Sequence, residues 1–240
     1  MVKYRISVAA RKGGVGKSSV ACGIASVFSS EAFKTLVIDL DPQSNAAYIL
    51  GADPTAVGTA SLLNRQPVEP SEVNESLHVF PGGLDLLGAG IQKLHPEELA
   101  DLTAALEYDV IIFDCPPGNE NLERLGTTAS DIALVVCNAH PLAVIGAGRV
   151  LMDLKENNER NRRGPSKWSF VQSQIDMRRS LDRELKEQLA SAYPGVSLQT
   201  VRQDTNLALA AADRIPVIDY APNSKAAADL KEIVRWITNA

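Results

Sequence analysis

Residues 11–19 read Arg-Lys-Gly-Gly-Val-Gly-Lys-Ser-Ser and stand between two apolar runs, Tyr4–Ala10 and Val20–Phe28. Strand, glycine-rich turn and helix in that order commit the start of the chain to a phosphate-binding β–α unit. Glycines allow successive backbone N–H groups to converge on a phosphate chain, and the helix N-terminus adds partial positive charge. Lys17 would then reach the β- and γ-phosphates, with the Ser18 hydroxyl on Mg²⁺. The strict spacing G-x-x-x-x-G-K-[ST] is not met, because Arg11 occupies the first glycine position and a second lysine, Lys12, precedes the glycine pair.

Two further strands end in acids. Thr35–Leu40 leads into Asp41-Pro42-Gln43 with Asp39 inside it, and Val110–Phe113 is capped by Asp114 ahead of Cys115-Pro116-Pro117-Gly118. Strand ends of open α/β sheets are where ligands bind. An apolar strand closed by an acid is the pattern that places a carboxylate near phosphate-bound Mg²⁺.

The Lys-Gly-Gly-Val-Gly-Lys-Ser string, the Asp-x-Asp-Pro-Gln segment and the Asp114 strand, in this order, resemble the ParA/MinD family of dimeric ATPases. The resemblance implies ATP and Mg²⁺ as cofactors and a slow, partner-stimulated hydrolysis. It makes Gly13, Gly14, Val15, Gly16, Lys17, Ser18 and Ser19 the phosphate cradle. Lys12 becomes the lysine that crosses a dimer interface to the other subunit's nucleotide. Asp41 would orient the attacking water, Asp39 would support the metal and the lysine network, and Asp114 would contact Mg²⁺ through water. The Pro-Pro-Gly turn matches a switch that responds to the γ-phosphate. With falling specificity, Ser173 and Gln174 are expected beside adenine, and Arg202 opens a later adenine-side loop. The stretch 208–216 departs from the family wording.

The remainder fits one α/β domain of 240 residues without linker, repeat or low-complexity tract. Strands are expected near 4–10, 35–40, 77–80, 84–87, 109–114, 131–137, 168–174 and 197–201. Helices are expected near 17–30, 96–107, 120–129, 141–157, 180–192, 204–212 and 223–238. The implied architecture is a doubly wound, mostly parallel sheet flanked by helices, a P-loop NTPase of the SIMIBI type. Cys22, Cys115 and Cys137 form no C-x-x-C pair and read as buried thiols of a reducing cytoplasm. His78, His95 and His140 are scattered, which leaves no metal chemistry beyond phosphate-bound Mg²⁺. Region 53–76 is polar and weakly patterned, a helical cargo-side insertion or a loop.

The formal charge of −5 argues against a chain that coats nucleic acid all over. Residues 149–186 nevertheless hold ten basic against six acidic side chains. Within them Arg160, Arg162, Arg163 and Lys167 read as a basic loop, and Arg178 and Arg179 as the start of the next helix. These are candidate DNA-phosphate contacts. The family resemblance implies an ATP-trapped homodimer that rides non-specifically on the nucleoid. A cargo-bound ParB-like protein or adaptor would then trigger hydrolysis, to partition a plasmid, chromosome region or protein assembly. The chain begins at the phosphate-loop strand, so operator binding through a preceding helix-turn-helix is not expected. The alternative is a membrane-cycling MinD-like ATPase, which needs a free basic amphipathic helix. Leu230, Ile233, Val234 and Ile237 instead form a packing stripe on the last helix, so membrane attachment is not expected. A nitrogenase-iron-protein type of carrier would need paired cysteines at the dimer axis, and no second cysteine matches Cys115.

Overall fold

The computed structural model describes residues 2–239. Its strands are β1 (Tyr4–Ala9), β2 (Thr35–Asp39), β3 (Ser71–Asn74), β4 (Leu77–Phe80), β5 (Val110–Asp114), β6 (Ile132–Cys137), β7 (Lys167–Ile175) and β8 (Ser197–Arg202). They form one sheet in the order β3-β4-β2-β5-β1-β6-β7-β8, parallel throughout except for the β3–β4 edge pair. The helices are α1 (Lys17–Ser30), α2 (Asn45–Ile49), α3 (Thr59–Leu63), α4 (Glu98–Thr103), α5 (Glu120–Thr128), α6 (Pro141–Glu159), α7 (Ser180–Ala192), α8 (Thr205–Asp213), α9 (Val217–Tyr220) and α10 (Lys225–Thr238).

Strands β2, β5 and β6 are buried at every residue, as continuous Val/Ile/Leu runs require when helices cover both faces. Central strand β1 lies between β5 and β6, and the chain leaves it toward β2 on one side and returns to β6 on the other. That reversal opens a crevice at the carboxyl end of β1, where the glycine-rich turn sits. The α10 stripe Leu230, Ile233, Val234 and Ile237 is buried as expected. Leu230 seats in the notch left by Gly23 of α1: a Cβ there would stand 2.6 Å from its Cδ1.

Two expectations change. Residues 84–87 form a 3₁₀ turn, not a strand. The apolar Leu-Asp-Leu-Leu run is bounded by Gly82-Gly83 and Gly88, and its Leu84 and Leu87 are exposed. Region 53–76 holds α3 and β3, so part of it is the sheet's antiparallel edge.

Candidate functional site

The glycine-rich turn is built from backbone that side chains resist. Gly14 (φ 75°) and Gly16 (φ 82°) lie in the left-handed region, and Gly16 caps α1. Val15 between them is buried and holds the turn down. The N–H groups of Lys17, Ser18 and Ser19 head α1, where no intrahelical acceptor exists for them. No acidic residue occupies that first turn, so the positive end of the helix is left for an external anion. A cleft of about 680 Å³ opens there, lined among others by Lys12, Gly13, Lys17, Ser18, Asp41 and Pro117.

Lys17 is the centre of charge. Its Nζ lies 2.7 Å from Asp114 Oδ1, 4.0 Å from Asp41 Oδ2 and 3.4 Å from Ser18 Oγ. Burial pulls its pKa down, but Asp114 with Asp39 and Asp41 outweighs burial and the net shift is upward. The ammonium therefore stays charged in an otherwise closed position.

The three acids do different jobs. Asp114 is fully buried, and its Oδ2 has no hydrogen-bond partner among the described residues. An orphaned oxygen on a carboxylate held by the same lysine that touches Ser18 suits a hard cation or its water. No cluster of three or more His, Cys, Asp or Glu among the described residues could hold an ion unaided, so phosphate oxygens would have to complete the shell. Asp41 accepts from Gln43 N at 3.0 Å through Oδ1, leaving Oδ2 toward Lys17. Asp39 accepts from Asp41 N (2.8 Å) and Ala46 N (2.9 Å). Both Asp39 oxygens brace the backbone of the loop that carries Asp41, and its charge acts on Lys17, the lysine-network part of the expectation. Burial and Asp114 push the Asp39 pKa upward, while the two N–H bonds and Lys17 oppose them.

Lys12 is half-buried on the cleft rim and makes no ion pair among the described residues. The three residues expected on the adenine side, Ser173, Gln174 and Arg202, come together on one cavity beside the phosphate cleft. Ser173, buried, donates to Val15 O, with Cys137 O a second acceptor at 3.2 Å. Gln174 Nε2 donates to Gly14 O at 3.1 Å, and its Oε1 accepts from Asn138 Nδ2 at 3.0 Å. Both residues line a second cavity of about 420 Å³ that meets the first at Gly16 and Ser19. Ser173 Oγ and Gln174 Nε2 also hold the turn in place. Arg202 lines the same cavity, with its Nη2 at 2.7 Å and Nε at 2.9 Å from the Asp229 carboxylate on α10. Leu207 and Ala211 of α8 and Gln203 complete the wall. The adenine-side loop expected from Arg202 onward already includes Gln203 and Leu207; sequence reasoning missed Ala211, because nothing in a short helix advertises which face meets a cavity.

The basic window is not brought together. Lys167 pairs with Ile132 at the start of β6, whereas Ile175 pairs with Arg202 at the far end of β8. The nine-residue β7 separates the two groups by about 26 Å. Lys167 is a correction to the DNA set: its Nζ lies 3.8 Å over the Trp236 ring and donates to Trp236 O at 2.7 Å. Arg160 and Arg163 pair with Glu156 and Asp101, and Arg162 donates to Asn157 Oδ1 at 3.2 Å. Arg178 sits on Asp176, holding that carboxyl well below the usual range. Arg179 is exposed at the cavity mouth ahead of α7.

A family model described as an AAA domain matches residues 3–164. The chain is 34% identical over 158 residues to the chromosome partitioning protein ParA of Myxococcus xanthus, spanning 60% of this chain and 56% of that one. Among solved structures it superposes on the ATP complex of a Cyanothece McdA variant with a TM-score of 0.81 at 19% identity, covering 98% of both chains. It likewise superposes on septum site-determining protein MinD of Pyrococcus horikoshii with Mg-ADP, TM-score 0.78 at 23% identity, over 95% of this chain and 94% of that one.

Proposed function

The chain belongs to the ParA/MinD family of P-loop ATPases, and from that membership we propose that it is a ParA-type positioning ATPase. It is an ATPase with ATP and Mg²⁺ as its cofactors. In the proposed cycle, ATP closes a sandwich dimer, the dimer holds DNA non-specifically, and a cargo-bound partner triggers hydrolysis and release. The observation that carries this reading is the division of labour between the two lysines. Lys17 is sealed on Asp114 inside the cleft, while Lys12 stands on its rim with no ion pair among the described residues, open to a second subunit's phosphates. A contact that only the γ-phosphate completes stabilises the dimer in the ATP state alone, and hydrolysis removes that difference.

Within the cleft, the α1 N–H groups and Lys17 would orient the phosphates. Ser18 and Asp114 would hold Mg²⁺, which when bound stabilises charge on the phosphate oxygens. Asp41, held by Gln43 N and facing Lys17, would position the attacking water. That placement leans on Gly82, since a Cβ at Gly82 would stand 2.1 Å from Asp41 O. Gly82→Ala is therefore expected to displace the Asp41 loop and lower phosphate release by about 10²-fold. A steady-state phosphate assay reads this directly, and parent turnover in the variant would show that the Asp41 loop does not lean on Gly82.

The apolar face of α10 is packed into the domain, so α10 itself is not a lipid-binding helix. The deciding experiment is retention on non-specific DNA with ATP, with ADP and without nucleotide, at two salt concentrations. ATP-only retention that falls with salt is expected; retention in no state overturns the DNA reading. Joint Arg178→Glu and Arg179→Glu should flatten the salt slope by about two and leave the ATP-dependent dimer intact. An unchanged slope would return both arginines to ordinary surface.

A further inference from the structure

We infer that Arg11 is a positioning residue that ties the phosphate loop to α5 and α6, so that the stance of Lys12 depends on Glu123. The inference rests on the reading of Lys12 as the lysine that reaches a second subunit's nucleotide.

Arg11 occupies the place where the strict phosphate-loop pattern has glycine, and a side chain that long needs a destination. Its Nη2 lies 3.3 Å from Glu123 Oε1 on α5 and 2.5 Å from Asp153 Oδ2 on α6. Glu123 is almost wholly buried, whereas Asp153 is half exposed. An exposed pair contributes little, but a buried carboxylate deprived of its cation is costly. The Glu123 contact is thus the one that fixes Arg11. Arg11 also runs close to α6, its Cβ 3.4 Å from where a Cβ on Gly146 would stand.

On the other side of Lys12 the chain is pinned by Gln174 to Gly14 O and by Ser173 to Val15 O. Between these anchors lie Lys12 and Gly13, and Gly13 and Gly14 are both exposed. A Cβ on either glycine would meet nothing within 4 Å. Nothing local orients this short span, so its direction is set by where its two ends are held. One end is held by β7. The other is held by α5, the helix that follows the Pro116-Pro117-Gly118 turn on the cleft wall. A shift of that turn would therefore reach Lys12 through Glu123 and Arg11 rather than through the nucleotide.

The test compares Arg11→Gln, Glu123→Gln, their double variant, Arg11→Lys and Lys12→Ala. ADP affinity is read with a fluorescent N-methylanthraniloyl-ADP probe, and the ATP concentration for half-maximal dimer by sedimentation. Arg11→Gln and Glu123→Gln should each keep ADP affinity within about twofold, because Lys17 and the α1 N–H groups are untouched. Each should raise the ATP requirement for dimer about tenfold, with the double variant no worse than either single, as residues acting through one contact behave. Arg11→Lys keeps the charge but not the planar reach, and should fall about threefold short of the parent. It keeps the question open to measurement if Arg11→Gln does not fold. An unchanged ATP requirement overturns the inference, as does an equal loss of ADP affinity and dimer, which would make Arg11 merely structural. If Lys12→Ala itself dimerises like the parent, the underlying reading of Lys12 fails. If Lys12→Ala loses the dimer while Arg11→Gln keeps it, only the role of Arg11 fails.

Discussion

Lys17→Ala is expected to lose nucleotide binding and to weaken the protein even before nucleotide is added. Truncating one partner of a buried charge-assisted contact costs about 2–5 kcal/mol, so ATP affinity should fall by at least about thirtyfold. Titration with a fluorescent nucleotide reads that loss, and unchanged affinity would refute the phosphate-loop assignment. The apo protein suffers separately, because Lys17 is the cation set among Asp114, Asp41 and Asp39. Removing one member of a buried pair costs about 3–5 kcal/mol, visible as a lower denaturation midpoint without nucleotide. The loss should depend on pH with a definite sign. Burial and Asp114 already push Asp39 upward, and Lys17 is among the groups opposing them. Without Lys17 the folded state holds the Asp39 proton more tightly than the unfolded chain does. Stability of the variant is then fullest below the ordinary carboxylate range near 4 and declines as pH rises above it. A variant equally destabilised at pH 5 and pH 8 would contradict this account of the cluster.

Asp41→Ala should separate binding from chemistry. The side chain has one oxygen on Gln43 N and the other 4.0 Å from Lys17, while the phosphate cradle is built from other residues. ATP binding and dimer formation are expected to persist, and hydrolysis to fall by about 10²–10⁴-fold, the range for a positioned proton acceptor. Single-turnover phosphate release on the ATP-loaded protein is the measurement, and turnover at the parent rate would dismiss Asp41. The contrast with Asp39 is instructive, since Asp39→Ala should unmoor the Asp41–Ala46 loop and not leave the dimer intact.

What could be read in the sequence was local. The turn at 11–19, the acids closing β2 and β5, and most helix positions follow from spacing and hydrophobic period within a few consecutive residues. What could not be read was contact across long separations. Ser173 and Gln174 sit at the right strand end for an adenine contact, yet their hydrogen bonds run to Val15 and Gly14, some 160 positions away. Arg11 looks like a defect in a motif until Glu123 and Asp153 are placed beside it. A charge count over 149–186 cannot know that β7 divides the window between two ends of the sheet. The run 84–87 shows the limit from the other side: apolar residues between glycines satisfy a strand pattern, but four positions are too few to decide against a 3₁₀ turn.

The central place of β1 also governs how the molecule comes into being. Its hydrogen-bonded neighbours, β5 and β6, are encoded more than 100 positions later, with Tyr4 aligned to Val110 and Ile6 to Ile132. During synthesis at about 5–20 residues per second, the phosphate loop therefore emerges roughly 5–20 s before either flank of its strand exists. A nascent chain of 100 residues carries every glycine and lysine of the motif and no surface that holds them in shape. Nucleotide capture is thus a late event in biogenesis, following the arrival of β5 and β6 and then of Ser173 and Gln174 on β7.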